Sequence, residues 1–263
     1  MNKSLLIVVT ALTTMGLLNF GIKSWGKQAT STCSQVIDLN RMCQSANVQE
    51  PDIDLVYKVE PRFRTTVTKD QLEQAQSIVD ILPTEATQSI ESYPYVQVTI
   101  WEEEENPSEV GDSHLLNAAQ LELLRTADYS TNFYISSRVH RKNAYTGKTY
   151  EDTLIYYMTI VPEQEAEYAS GYDALITYLK ENSWEQTRII RRAGLQPGKV
   201  SFSVTKEGTV ENVQLNTTSG YPTVDESLLK IVGNMPGKWN PATNAKGEKV
   251  EQELIFFFGL EGC

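Results

Sequence analysis

The histidines His114 and His140 are the side chains best suited to acid–base or metal chemistry near neutral pH, and the chain has no others. Neither lies in the His-x-x-x-His, Cys-x-x-Cys or Gly-x-Ser-x-Gly settings that indicate metal or nucleophilic sites. The glycines Gly194 and Gly198 flank a short basic linker. They do not form a phosphate-binding loop, in which a glycine-rich segment precedes a helix that begins with a lysine. The sequence therefore predicts no catalytic, cofactor-binding or metal-binding residues, and a protein that is not an enzyme.

The charge of the chain excludes one large class of partner. A formal net charge of -11 disfavours nucleic acid, because such binding needs clustered lysine and arginine to displace counterions. The acidic run from Glu102 to Glu105 precedes Asn106 and Pro107, a composition typical of a solvated loop.

The cysteines are Cys33, Cys43 and Cys263, an odd number. In an oxidising compartment this predicts one disulfide and one free or intermolecular thiol, and the sequence leaves the pairing open.

An apolar stretch from Leu5 to Ile22 follows Lys3 and is long enough as a helix to cross most of a bilayer. Large residues such as Phe20 and Trp25 stand where a signal peptide would have small ones. An uncleaved transmembrane helix at 1–23 is therefore the favoured interpretation, with a cleaved signal segment as the alternative. The polar residues 24–54 then form a tether.

Residues 55–163 alternate between helical and strand patterns, which predicts an α+β middle domain. Thr68 and Gln71 form a capping box, and the helix that it begins is predicted to end at Pro83. The apolar residues at helical spacing in it are Leu72, Ala75, Val79 and Leu82. The other predicted elements are a strand from Tyr95 to Trp101, a helix from Leu115 to Leu124, and strands from Asn132 to Val139 and from Thr153 to Val161.

Residues 164–263 predict a strand-strand-helix-strand unit. A half-buried strand around Phe202 turns at Gly208 into a second strand that carries Val213 and Leu215. Thr223 and Glu226 form a capping box for the helix, and the last strand runs from Val250 to Phe258. The helix covers one sheet face, so the other face needs cover or a partner.

About a hundred residues at the end of the chain resemble the TonB energy-transducer C-terminal domain. The resemblance is carried by the ordered set Tyr168, Gly171, Ala174, Leu175, Tyr178, Leu179, Asn182, Val200, Phe202, Val204, Gly208, Val210, Val213, Ser219, Gly220, Asp225, Trp239, Pro241, Gly247 and Val250. Trp239 in this set is interpreted as a packing anchor and not as a ligand platform, because large aromatic residues dominate small cores.

The resemblance implies a protein of the bacterial inner membrane with a single membrane pass and the bulk of its chain in the periplasm. It implies energy transduction for transmembrane transport, with an outer-membrane TonB-dependent receptor peptide and ExbB-like and ExbD-like proteins as partners. The alternative is a static periplasmic interaction protein with a TonB-like fold and no motor coupling. This alternative fits the scattered prolines and the absence of histidine between Met1 and Ile22.

An internal repeat is a further hypothesis. An offset of 100 positions aligns residues 147–158 with 247–258 and pairs Gly147 with Gly247 and Leu154 with Leu254. The middle domain would then be a degenerate copy of the C-terminal unit.

The last strand is the predicted docking site for a partner. A strand-strand-helix-strand unit leaves a strand edge with unpaired backbone groups, and an extended peptide can add to such an edge. Val250, Leu254, Phe256 and Phe258 are assigned to the core face. Partner contact is predicted for Gln252, Glu253, Ile255 and Phe257, with packing of Ile255 and Phe257 inside the protein as the alternative.

The anchor hypothesis gives a first testable prediction. Protein isolated from membranes should retain its N-terminus, because no small-residue cleavage pattern follows Ile22 closely. N-terminal sequencing checks this, and a mature protein that starts near Ser31 or Thr32 and lies outside the membrane fraction would contradict it.

Overall fold

The structure is a computed structural model that describes residues 53–101 and 105–260. The predicted anchor, most of the tether and all the cysteines lie outside these residues. No helix in the described part of the chain is long and apolar enough to cross a membrane. The described residues form an α+β structure with one four-stranded sheet, one five-stranded sheet and two sheets of two short strands each.

The strands, in chain order, are β1 (Leu55–Glu60), β2 (Thr66–Thr68), β3 (Ile90–Trp101), β4 (Ser108–Gly111), β5 (Asn132–Lys142), β6 (Thr149–Val161), β7 (Glu167–Tyr168), β8 (Gly198–Val204), β9 (Val210–Thr217), β10 (Trp239–Asn240), β11 (Ala242–Thr243), β12 (Lys249–Val250) and β13 (Gln252–Leu260). The helices are α1 (Lys69–Gln74), α2 (Thr84–Thr87), α3 (Ala118–Thr126), α4 (Tyr172–Thr187) and α5 (Pro222–Gly233), with a 3₁₀ helix at Ile78–Asp80.

The five-stranded sheet has the order β2-β6-β5-β3-β4 and, with its helices, forms the middle unit. Only β2 runs parallel to its neighbour β6, and the other pairs are antiparallel. Alternate residues of β3 and β5, such as Val98 and Phe133, are fully buried against Leu72, Ile78 and Leu124 from the helices. One face of the sheet thus forms a closed core, as period-two burial requires.

The long helix predicted from Thr68 to Leu82 is wrong beyond its first turns. Thr68 caps α1 through a bond from the Gln71 N–H, which is one half of the predicted capping box. The Gln71 side chain instead donates to the Asp80 carbonyl, and α1 ends at Gln74. The Asp80 carboxylate accepts bonds from the Gln76 and Ser77 N–H groups, and the Ser77 hydroxyl accepts one from Val79. These local side-chain bonds compete with helix continuation and start the separate 3₁₀ turn.

The four-stranded sheet has the order β1-β13-β8-β9, all antiparallel. Helices α4 and α5 cover one face, where Leu179 and Leu228 are buried with Phe202, Phe256 and Phe258. This sheet and its helices form the C-terminal unit. Its second face is also closed near the centre, since Ser201, Ser203 and Ile255 are buried.

Helix α5 begins differently from the prediction. Its N-cap is Tyr221, which makes no side-chain cap bond, and Pro222 occupies the first turn. Thr223 and Glu226 therefore do not form the expected capping box. The Asp225 carboxylate instead accepts bonds from the Thr218 hydroxyl (2.5 Å) and the Ser219 N–H (2.8 Å), which fixes the preceding loop to the helix.

The two units share one order of connections. In the middle unit, α3 follows the β3–β4 hairpin and leads to β5, which pairs with β3; in the C-terminal unit, α5 follows β8–β9 and leads to β13, which pairs with β8. By topology β5 corresponds to β13. The hundred-residue offset instead aligned β6 with β13, so it does not describe this correspondence.

The strand β1 belongs to the C-terminal unit, although the predicted boundary placed it in the middle domain. It pairs with β13 over its whole length, from Leu55 opposite Leu260 to Glu60 opposite Ile255. The middle unit is therefore an insertion between the first strand of the C-terminal sheet and the rest of that sheet.

Gly208 is a position where the fold requires glycine, and it provides a stability test. Its φ is +78°, and an added Cβ would lie 2.2 Å from the Trp239 carbonyl oxygen. We expect Gly208→Ala to lower the free energy of unfolding by about 2 kcal/mol or more. Gly147→Ala is the control, because φ is +69° but nothing lies within 4 Å, and it should cost about 1 kcal/mol. Urea denaturation checks both, and equal losses would contradict the steric argument.

Candidate peptide-docking edge

The last strand, β13, is interior to its sheet. Residues Gln252 to Phe258 pair with β8 on one side, and Ile255 to Leu260 pair with β1 on the other. The prediction that this strand leaves a free edge is therefore wrong for Ile255 and Phe257. The backbone groups that would receive a partner strand there are paired within the chain.

Gln252 and Glu253, predicted as edge contacts, also have partners inside the chain. The Gln252 side chain is buried; it accepts a bond from the Ala166 N–H (2.7 Å) and donates one to the Glu165 carboxylate (2.9 Å). The Glu253 N–H donates to the Ser130 hydroxyl at 2.8 Å. A proline at position 253 would break this internal bond, so its effect would not report on a partner alone.

Ile255 and Phe257 lie on the face of β13 opposite the helices. Leu254, Phe256 and Phe258 pack in the core, as predicted. Ile255 is only 5% exposed, whereas Phe257 is half-buried. Phe257 is directly opposite Lys58 of β1 and Lys199 of β8, whose aliphatic stems can cover its ring. Contact of these residues with a partner stays a prediction.

Strand β1 is held by side chains as well as by backbone pairing. The Tyr57 ring lies 5.9 Å from that of Phe256 and 5.3 Å from that of Phe258, and its hydroxyl bonds to the Ser183 hydroxyl of α4 at 2.8 Å. Val59 is buried too, and its N–H donates to the Tyr172 hydroxyl at 3.3 Å. Strand β1 is therefore an integral part of the hydrophobic core of the C-terminal unit.

Ser130 holds the middle unit against β13. Its φ of 65° lies in the left-handed region, which costs a residue other than glycine about 1–2 kcal/mol. Its N–H donates to the Ile160 carbonyl at 2.7 Å, and its hydroxyl meets Glu253. The hydrogen bonds on both sides of the residue maintain this unusual conformation.

A cleft of about 440 Å³ adjoins Ser130 where the two units meet. It is lined by Asp128, Tyr129, Ser130, Ser203, Lys206, Val250, Glu251 and Glu253. Burial raises the pKa of the Tyr129 hydroxyl, and nearby carboxylates, Glu163 first among them, raise it further. The lining of the cleft carries three carboxylates, from Asp128, Glu251 and Glu253, and one lysine, Lys206.

The contribution of β1 to this site was missed from the sequence, although a signal existed. Leu55, Tyr57 and Val59 alternate with Val56, Lys58 and Glu60, a period-two pattern typical of a half-buried strand. The pattern predicts a strand, but its pairing with residues about 200 positions later has no local signal. The described residues also contain no group of three or more His, Cys, Asp or Glu side chains that could hold a metal ion.

Comparison with known proteins gives one family match, which lies within the C-terminal unit. Residues 190–260 match the family model of the Gram-negative bacterial TonB protein C-terminal domain, so the resemblance in the sequence is confirmed for this segment. The matched residues include β8, β9, α5 and β13 but not β1, α4 or the middle unit. Searches of curated proteins and of solved structures gave no match.

The packing of β1 gives a prediction about stability. We expect Tyr57→Ala to lower the free energy of unfolding by about 3–5 kcal/mol, because it leaves a cavity beside Phe256 and Phe258. The 99% exposed Tyr145 provides the control, and Tyr145→Ala should stay within about 0.5 kcal/mol of the parent protein. Denaturation curves measure both changes. A loss below 1 kcal/mol for Tyr57→Ala would show that β1 is not part of the core.

Proposed function

We propose that this chain is a TonB-like protein of the periplasm that engages outer-membrane receptors through its C-terminal unit. The observation that carries the proposal is the family match over residues 190–260, which coincides with the strand-strand-helix-strand part of the sheet. The apolar stretch from Leu5 to Ile22 supports an anchor in the inner membrane. The proposal includes energy transduction, with ExbB-like and ExbD-like proteins as the partners in the inner membrane.

In this proposal, the receptor peptide binds by replacing β1 beside β13. The backbone hydrogen bonds of β1 would be replaced by similar bonds to the peptide. The difference in free energy between the two strands therefore depends on their side chains. Tyr57 and Val59 are both buried, and a fully buried side chain contributes about 1.5–3 kcal/mol. An incoming strand therefore needs apolar residues at two positions spaced two apart. Without them, the sites that Tyr57 and Val59 fill in the core would be empty.

The alternative function is a static periplasmic interaction protein without motor coupling. Two observations favour it. Strand β1 fills the β13 edge as an integral part of the core. The middle sheet also presents an aromatic face. Trp101, Ile155 and Tyr157 are each at least 42% exposed, and the Phe63 ring packs in a tilted arrangement against the rings of Trp101 and Tyr157. Such a patch is unusual on a monomer and fits a binding surface.

A reversible cross-link between β1 and β13 separates the two functions. Lys58 and Phe257 are directly opposite each other, so Lys58→Cys with Phe257→Cys can form a cross-strand disulfide. Serine would first replace Cys33, Cys43 and Cys263. We expect the oxidised protein to lose binding to a synthetic periplasmic segment of an outer-membrane receptor, and reduction to restore it, as measured by fluorescence anisotropy.

A matched control locks a hairpin in the other sheet. Lys142 and Thr149 are paired at the end of β5 and β6, so Lys142→Cys with Thr149→Cys should form a disulfide without effect on binding. The single variants Lys58→Cys and Phe257→Cys report any loss caused by the side chains themselves. Unchanged binding with β1 locked would rule out strand exchange and favour the static protein.

A further inference from the structure

One short segment of the C-terminal unit is strongly basic, although the whole chain is acidic. From Gln186 to Lys206 the sequence has five lysine or arginine residues and no aspartate or glutamate, while the chain has a net charge of -11. Three of the five, Arg188, Arg191 and Arg192, lie at the end of α4 or directly after it, and all three are exposed. A positive cluster of this kind on an acidic protein favours an anionic partner.

The backbone of this segment is fixed to the rest of the C-terminal unit. The Tyr221 hydroxyl accepts a bond from the Arg191 N–H at 3.1 Å and donates one to the Arg191 carbonyl at 3.0 Å. The Gln196 N–H donates to the Ser219 carbonyl at 2.9 Å, and Ile190 is buried in the core. The arginines therefore lie on a fixed part of the surface, so little backbone entropy is lost when they bind.

Two large apolar side chains are exposed beside the arginines. Trp184 is 59% exposed and lies one helical turn before Arg188, whose N–H donates to the Trp184 carbonyl, so both residues are on the same side of α4. Ile189 is 61% exposed, although its neighbour Ile190 is buried. Tryptophan and aliphatic residues beside arginine are typical of surfaces that lie at the boundary between lipid headgroups and acyl chains. The arginine patch is defined as Trp184, Arg188, Ile189, Arg191 and Arg192.

One acidic residue contacts the arginine patch without neutralising it. Glu185 lies 3.2 Å from Arg188, and the two side chains are 71% and 55% exposed. An ion pair so exposed contributes little and is weakened by salt, so Arg188 can bind another anion. With Glu185 counted, the three arginines still leave a net charge of +2.

The arginine patch lies at one end of the C-terminal sheet. Ser183 bonds to Tyr57 and Tyr172 bonds to Val59, so α4 runs antiparallel to β1. The part of α4 after Ser183, which ends in the patch, is therefore at the Leu55 end of β1. The start of β8, which follows the patch in the chain, is at the same end, because β8 and β1 are both antiparallel to β13.

The chain enters the C-terminal unit at this same end. Leu55 begins β1, and the sequence before it carries the proposed anchor at 5–22. The cleft that contains Asp128, Glu251 and Glu253 adjoins the start of β13, which is the opposite end of the sheet. An anionic membrane would attract the basic end of the unit and repel the acidic one.

We infer that the arginine patch docks on an anionic lipid surface, that of the membrane in which the chain is anchored. The guanidinium groups would bind the phosphates of the headgroups, and Trp184 and Ile189 would insert at the boundary with the acyl chains. An acidic polypeptide is the competing partner. It would account for the arginines, but not for the position of the patch where the chain arrives from the anchor.

Docking deepens the proposed function and rests on it only for the anchor, not for the receptor. It would hold the C-terminal unit at the membrane surface between encounters with a partner. The Gln252 end of β13 would then point away from the membrane.

The test uses the full chain reconstituted in lipid vesicles, with a fluorescent nitrobenzoxadiazole label beside the patch. Serine replaces the three cysteines, and Ala193→Cys carries the label, because Ala193 is exposed and follows Arg192. Ala245→Cys, at an exposed alanine between β11 and β12, is the matched control. We expect spin-labelled lipids to quench the label at 193 about threefold more than at 245 in vesicles with about one-third phosphatidylglycerol, and weakly at both positions in pure phosphatidylcholine.

Charge variants test the role of the arginines. Arg188→Gln with Arg192→Gln should lower the ratio of docked to undocked protein about twentyfold, because each basic residue at an anionic surface contributes about fivefold. Lys246→Gln with Lys249→Gln removes the same charge from the β11–β12 hairpin and should change the ratio less than about twofold. Trp184→Ala keeps the charge and should also lower the ratio, because the apolar insertion is lost.

The anchor and the docking fail in different ways. Protein that does not float with vesicles of pure phosphatidylcholine would show that the anchor is wrong, and quenching in anionic vesicles would still measure docking.

Three results would overturn the docking. Equal quenching at 193 and 245 in anionic vesicles would show that the patch does not face the lipid. Quenching at 193 that is the same in both lipids, or is unchanged by the arginine variants, would show contact without charge selection. A response of the label at 193 to polyglutamate, with none to phosphatidylglycerol, would identify an acidic polypeptide as the partner.

Discussion

The pairing of β1 with β13 is the interaction on which the C-terminal unit depends. Without β1, the outer backbone groups of Ile255 to Leu260 would need other partners, and Phe256 and Phe258 would lose the ring of Tyr57. The Tyr57–Ser183 bond then links the same strand to α4, which the family match does not include. The sheet is thus completed by β1, which lies outside the residues that match the family model.

In both units, a strand pairs with the outer side of the strand that follows the helix, but the two strands come from different parts of the chain. In the middle unit, β6 follows β5 through a short hairpin and covers its outer side. In the C-terminal unit, the equivalent position beside β13 is taken by β1, about 200 residues earlier. A contact at this sequence separation carries a larger loop-closure cost than a hairpin, so we expect it to form more slowly. The two units therefore share a topology but differ in the loop-closure cost of completing their sheets.

Much of the architecture was predictable because it is local. Alternation around Phe202 and Phe256, the turn at Gly208 and the cap at Thr68 each depend on neighbouring residues. The partner of β1, the bond from Glu253 to Ser130 and the break in the helix after Gln74 were not predictable in this way. The first two join residues more than a hundred positions apart, and the third depends on competition between Ser77 and Asp80 side chains and the helix backbone. Ile255 and Phe257 do not form a free edge for the same reason, because the order in which strands pair depends on contacts across the whole sheet.

The direction of β1 determines how the C-terminal unit responds to mechanical force. The chain before Leu55 joins β1 at the end that pairs with Leu260, while Glu60 lies toward the Gln252 end of β13. Tension between that preceding chain and the Gln252 end runs along the strand, so the bonds between β1 and β13 share the load in shear. Tension across the strand would instead separate them one at a time. Resistance to force is set by the unfolding rate and not by equilibrium stability, so β1 can act as a mechanical clamp whose strength depends on the direction of pull.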